Sequence, residues 1–239
     1  MKDQNNRWLI AQNYEHNWWV KFEASLSPEY QIEYYSLWAN KLLHDIRDHL
    51  KITDKTRILE IGSGAAGIVS CLQSKVRFGI DPLENLFASI ERFKKLRDPK
   101  VVYLTAKGED LPFPENSFDL IIIDNVLDHC ENPKQTISEM YLVLNFSGIV
   151  YLRINTHHIW GYFIRKLMEK FIIDQGHPYT YLKSDIIKLF ENNYFKLFHT
   201  ENEGFYMHWK KDWLSKELRQ KIKAFLCVNA DPFLACFKK

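Results

Sequence analysis

Arg57-Ile58-Leu59-Glu60-Ile61-Gly62-Ser63-Gly64-Ala65-Ala66-Gly67 sets the reading of the whole chain. An apolar run ends in closely spaced glycines, the pattern of a strand that enters a tight turn. Gly62 permits the turn, Gly64 leaves the backbone open to a ligand, and Gly67 permits close packing of a following helix. Residues 65–74 read as that helix, and its free N–H groups would face the ligand. Beyond it, residues 76–80 form a second apolar run that ends at Asp81. A carboxylate at that position accepts hydrogen bonds from both hydroxyls of a ribose.

The same rhythm continues in both directions. Residues 101–105, 118–124 and 148–154 read as further strands. Residues 83–96 read as a helix, and Ile137, Met140, Tyr141 and Leu144 mark another by their spacing. Strands alternating with helices predict a doubly wound, Rossmann-like α/β fold with a mostly parallel sheet. The unbroken run Leu120-Ile121-Ile122-Ile123 suits a strand covered on both faces. Upstream, Tyr35, Trp38, Leu42 and Ile46 recur at helical steps, so residues 1–52 read as an N-terminal helical cap. Residues 53–239 then form the ligand-binding domain, with helical insertions around 156–192 and 210–227. Within that part, 159–173 reads as an aromatic helix and Ser184 as the cap of a helix through Phe190. Residues 194–200 and 232–237 read as two last strands.

Composition narrows the class. The chain has 239 residues, enough for one α/β domain with an attachment. Its net charge of +2 gives no bulk attraction to nucleic acid or to a membrane. The N-terminal stretch lacks an apolar signal core and no apolar run is long enough to cross a bilayer, so a cytoplasmic protein without membrane insertion is expected. Cys71, Cys130, Cys227 and Cys236 include no CxxC pair, so no metal site is expected from them. Nothing in the sequence specifies an oligomeric state.

The glycine spacing alone also fits a dinucleotide fingerprint. Three features oppose a nicotinamide cofactor. Glu60 stands where dinucleotide folds carry an apolar residue, and an acid there suits a ligand with an ammonium group. No second mononucleotide half is visible. The third feature is the segment Gly108-Glu109-Asp110-Leu111-Pro112-Phe113, followed by Ser117-Phe118-Asp119-Leu120 and by Val126-Leu127-Asp128-His129. This ordered set resembles the class I methyltransferases that use S-adenosylmethionine (SAM), most closely the branch of the quinone-biosynthesis enzymes. The resemblance spans roughly residues 58–152 and fades to a weak likeness at His177-Pro178-Tyr179.

The resemblance implies a seven-stranded sheet of the methyltransferase type, SAM as cofactor and a small-molecule acceptor. It implies that Glu60, Gly62, Ser63 and Gly64 meet the amino-acid end of SAM. Asp81 would hold the ribose, with Pro82 and Leu83 beside the adenine. Gly108 and Glu109 would flank the base, and Asp124 and Asn125 would lie near the sulfonium. Two positions depart from the family pattern. Ala66 stands at the usual third glycine, and Lys107 stands where an acid often meets the adenine amino group.

Methyl transfer to oxygen or nitrogen needs alignment and a dry pocket, and a base only if the acceptor must lose a proton. His129 matches the family histidine after the fourth strand and is the first candidate base, although a histidine there more often packs between that strand and its helix with one nitrogen bonded to backbone. His158, with His157, follows the fifth strand at the edge where ligands sit and is the second. His177 lies in a turn that can supply a polar group or only turn chemistry. Tyr14, Trp18 and Trp19 in the cap could close over the acceptor or simply anchor a helix. The basic run around residues 210–223 reads as the wet face of a helix. The alternatives are a SAM-binding protein without catalysis and, less favoured, an NAD(P)-dependent oxidoreductase. A nucleic-acid methyltransferase is disfavoured, because Asn125 is followed by Val126-Leu127 rather than a proline–aromatic pair.

Overall fold

A computed structural model describes residues 2–21, 25, 27–169, 171, 174–202 and 204–239. Two helices come first, α1 (Lys2–Lys21) and α2 (Pro28–Ile46). The strands are β1 (Arg57–Ile61), β2 (Val76–Asp81), β3 (Val102–Thr105), β4 (Phe118–Asp124), β5 (Leu144–Thr156), β6 (Lys196–Asn202) and β7 (Asp231–Lys238). Between them run α3 (Glu84–Ser89), α4 (Glu91–Lys94), α5 (Pro133–Val143), α6 (Ile159–Glu169), α7 (Lys183–Glu191), α8 (Phe205–Trp213) and α9 (Leu218–Phe225). The seven strands form one sheet in the order β3-β2-β1-β4-β5-β7-β6. β1 to β5 are parallel, and β7 inserts antiparallel between β5 and β6. A dinucleotide fold would place a parallel strand where β7 lies.

Alternate residues of each central strand feed two cores. Leu59, Ile61, Ile121 and Ile123 pack with Ile137 and Met140 of α5 and Ile186 and Phe190 of α7. Ile58, Leu120 and Ile122 face the other way, onto Leu42 and Ile46 of α2. This is the two-sided burial expected for the run at 120–123. α2 begins at Pro28, where the Ser27 hydroxyl accepts from the Tyr30 N–H at 3.1 Å. It belongs to the sheet's outer layer, whereas α1 lies across the carboxyl ends of the strands.

Several local expectations are corrected. Residues 65–74 hold a short 3₁₀ turn at Ile68–Cys71 instead of a helix. The Ala65 and Ala66 carbonyls accept from Arg97 Nε and Tyr103 Oη, both at 2.7 Å, so they serve no helical ladder. The expected helix at 83–96 breaks at Ile90 into α3 and α4. In an unbroken helix Phe87 and Phe93 would point about 120° apart; here their rings meet at 5.7 Å and share one cluster. Leu182, not Ser184, precedes α7, and Asp185 accepts from the Leu182 N–H at 2.9 Å. The helix expected over 159–173 ends at Glu169, and residues 172–173 lie outside the described residues.

Candidate active site

β1 and β4 are neighbours, but their chain continuations run to opposite sides of the sheet. The crevice at their carboxyl ends is the switch point where open α/β sheets take ligands. A cavity of about 580 Å³ opens there, within the usual range for small-molecule sites. Its wall contains Glu60, Gly62, Ser63 and Gly64 after β1, Asp81 and Pro82 after β2, Gly108 and Glu109 after β3, and Asp124 and Asn125 after β4. The sequence-derived cofactor positions therefore converge on one space, and His129 joins them.

Asp81 organises the first turn. Its carboxylate accepts from the Gly64 N–H at 3.0 Å and the Leu83 N–H at 2.8 Å, locking the glycine loop to the end of β2. Burial pushes its pKa up to about 6, against those two bonds. Gly62 and Gly64 have φ of +70° and +56°, which favours glycine. A side chain at Gly62 would collide with Val126. At Gly64 the space expected to admit a ligand holds the Trp19 indole, 2.7 Å from where a Cβ would sit. Trp19 is held there by edge contacts to Phe87 and Phe93 at 5.0 and 5.8 Å.

Glu60 has a different local role from the ammonium contact the resemblance implied. Its two oxygens accept from the Ile68 and Val69 N–H groups at 3.1 and 2.7 Å. The N–H groups assigned to the ligand are thus taken by the protein itself. Burial raises the Glu60 carboxyl to about 8 even though these bonds favour its ionised form. Glu109 likewise accepts from the Asn132 N–H at 3.0 Å, at the start of α5.

Asp124 is also engaged. Arg153 on β5 pairs with both its oxygens, Nε at 2.6 Å and a terminal nitrogen at 2.9 Å, and stacks 3.6 Å above the Trp38 ring. Arg153 also donates to the Tyr34 hydroxyl. Tyr34 and Asn155 line the cavity as well. The sequence reading missed Arg153, although the β4–β5 register places it directly opposite Asp124.

His129 and His177 line the cavity, and with the buried Asp128 they bring ligating atoms within 4.8 Å of one another. His129 Nδ1 is buried without a hydrogen-bond partner, 3.6 Å from Glu15 Oε1, and Asp128 Oδ1 is likewise buried and unpartnered. The two imidazoles lie 4.7 Å apart. His177 Nδ1 meets Asp174 at 3.0 Å. Burial opposes a charge on His177, but the Asp174 hydrogen bond and the nearby Asp128 outweigh it and raise the pKa. Asp174, buried but bonded to His177 and Arg165, falls well below the usual carboxylate range. Arg7 of α1 reaches the backbone of this segment at Gln175 and His177, at 2.7 and 3.0 Å. Tyr14, Trp18 and Trp19 complete the roof.

His158 is the correction among the candidate bases. It does not line the cavity; its Nε2 lies 2.8 Å from the Cys227 carbonyl and its ring packs on Phe205. His157 is buried against the Asn229 carbonyl, and burial drives its pKa down to about 3. Lys107 lies 3.1 Å from Glu131 and 3.7 Å over the Trp8 ring, so it braces α1.

Comparisons with known proteins agree with this geometry. The methyltransferase-domain family matches residues 59–152. An uncharacterised protein of Methanocaldococcus jannaschii is 37% identical over 100 residues, 42% of this chain and 45% of that protein. The ubiquinone/menaquinone biosynthesis C-methyltransferase of Psychromonas ingrahamii is 31% identical over 106 residues, 38% of this chain and 42% of that enzyme. The chain spans about half the length of the curated relatives it matches. Among solved structures, phosphoethanolamine N-methyltransferase 2 of Haemonchus contortus, in complex with SAM, superposes with a TM-score of 0.61 at 16% identity. That superposition covers 94% of this chain and 59% of the other, and it speaks for the fold alone. The glycine loop, the Asp81 strand and the strand ending at Asp124 all lie inside the segment that matches the methyltransferase-domain family.

Proposed function

We propose that the protein transfers a methyl group from SAM to an oxygen or nitrogen of a small-molecule acceptor. The observation that carries this reading is one cavity whose wall combines Gly62, Gly64, Asp81, Gly108 and Glu109 with the imidazoles of His129 and His177, with Asp128 close to both rings.

The donor set fits the cofactor. The Asp81 carboxylate is a buried acceptor suited to two ribose hydroxyls. The ends of β3 and β4 offer backbone and small side chains to a flat base and to the methionine arm. When bound, SAM supplies an electrophilic methyl carbon on a positively charged sulfur. Asp124 is already balanced by Arg153, so the wall beneath the sulfonium carries little net charge. Alignment and exclusion of water then supply most of the rate. α1 provides the exclusion, because its aromatic residues roof the cavity.

In the transfer step His129 takes the proton on Nδ1, a buried ring nitrogen without a hydrogen-bond partner. Glu15 stabilises the resulting imidazolium, and Asp128 orients the ring from the Nε2 side, 3.9 Å away. His177, whose pKa is raised by the nearby Asp174 and Asp128, offers a hydrogen bond to an acceptor oxygen. Several relatives' names describe C-methyltransferases, so carbon acceptors enter the test as a competing outcome. The test is transfer of an isotope-labelled methyl group from SAM into a fractionated small-molecule extract. Labelling of an O- or N-methyl product that disappears in His129→Ala supports the proposal. A C-methyl product overturns the acceptor assignment. SAM binding with no labelled product at all favours a cofactor-binding protein without catalysis.

A further inference from the structure

We infer that α6, α8 and α9 together form a docking face for an anionic lipid surface. The expectation for residues 210–223 was a basic, solvated helix face, and the structure adds an apolar one beside it. On α9, Leu218, Ile222 and Phe225 fall at successive turns and all face solvent, with Phe225 76% exposed. Met207 on α8 and Leu214 just beyond its end are seven residues apart and about 70% exposed. The rings of Tyr206, Trp209 and Trp213 stack along the same helix at 5.8 and 5.7 Å. On α6, Ile159, Phe163 and Leu167 repeat every four residues, each more than half exposed.

These stripes are joined. The Trp160 indole donates to the Leu226 carbonyl at 3.1 Å, His158 meets the Cys227 carbonyl, and Trp209 Nε1 donates to the Ala224 carbonyl at 3.0 Å. The start of α6, the end of α9 and the middle of α8 are thereby held in one surface. Exposed apolar side chains clustered in this way mark an interaction site.

Charge selects the occupant. Residues 205–226 carry six basic side chains and two acidic ones, an excess of four in a chain whose total is only +2. The balanced total that argued against bulk attraction therefore hides a local basic patch. On α9, Arg219, Lys221 and Lys223 alternate with the apolar positions. Aromatic and aliphatic residues on short helices flanked by lysine and arginine suit the headgroup boundary of an anionic bilayer. A second copy of this chain would instead oppose like charges across the contact. No described helix is long and apolar enough to cross a membrane, so the contact is peripheral.

The test is flotation of the full chain with vesicles, which needs neither SAM nor an acceptor. Wild type should float with phosphatidylcholine vesicles holding about 30 mol% phosphatidylglycerol, and bind pure phosphatidylcholine at least about tenfold more weakly. Leu218→Glu/Phe225→Glu and, separately, Arg219→Glu/Lys221→Glu should each lower binding to the anionic vesicles by more than about tenfold. SAM titration of each variant confirms an intact core. The inference fails if wild type ignores anionic vesicles, or if both variants float as well as wild type. It also fails if light scattering shows a dimer that Leu218→Glu/Phe225→Glu dissociates while wild type binds no vesicles.

Discussion

Replacing Asp81 by Asn separates a ligand contact from a structural brace. The carboxylate holds the Gly64 and Leu83 N–H groups at 3.0 and 2.8 Å. Asn keeps the shape and one acceptor, but turns its NH₂ towards one of those donors. Hydrogen bonds to a charged group are worth about 1.5–3 kcal/mol each, so losing the charge against two ribose hydroxyls should cost roughly 3 kcal/mol, or about a hundredfold in SAM affinity. Calorimetric titration reads this directly. A SAM analogue lacking the ribose 2′-hydroxyl supplies the control: with it, the Asp81→Asn penalty should shrink by about tenfold. The pH dependence has a defined sign. With the free carboxyl near pKa 6, the accepting, ionised form is lost as pH falls below that value. Wild-type affinity should therefore drop between about pH 6.5 and about 5.5, roughly half a unit either side of the titration, while Asp81→Asn should be flat. An equal penalty for SAM and the deoxy analogue would refute the ribose assignment and leave Asp81 as a brace alone.

Other substitutions probe the rest of the site. Arg153→Met strands the buried Asp124 charge and should lower stability by about 3–5 kcal/mol in chemical denaturation, whereas Arg153→Met with Asp124→Leu should recover much of it. His129→Ala should leave SAM affinity within about twofold of wild type but lower the rate of methyl transfer by about a hundredfold. If transfer survives unchanged, His129 is not the base. Trp19→Ala removes the ring in front of Gly64 and should speed SAM association in stopped-flow fluorescence. An unchanged rate would mean that Trp19 does not obstruct the loop.

The central sheet was legible because periodicity and turn chemistry agree there. The run at 120–123 and the glycines after Ile61 admit few alternatives, and the strands found at β1, β2 and β4 coincide closely with their sequence reading. Residues 65–74 misled because Ala65 and Ala66 have high helix propensity, but their carbonyls are claimed by Arg97 and Tyr103 from distant segments. The same limit hid the use of Glu60 as a local acceptor, since nothing in the order of residues shows where two backbone N–H groups will turn. Arg153 escaped notice because strand register, not spacing, brings it to Asp124. His158 was misplaced for the converse reason. It does follow β5, but the chain turns there and its ring leaves the cavity for Cys227 and Phe205.

The most direct measurement is calorimetric titration of the full chain with SAM and, separately, with NADH. A crevice built from the glycine loop and Asp81 for adenosyl methionine should give one saturable site per chain for SAM and no heat of binding for NADH. Saturable binding of NADH, or none of SAM, would contradict it.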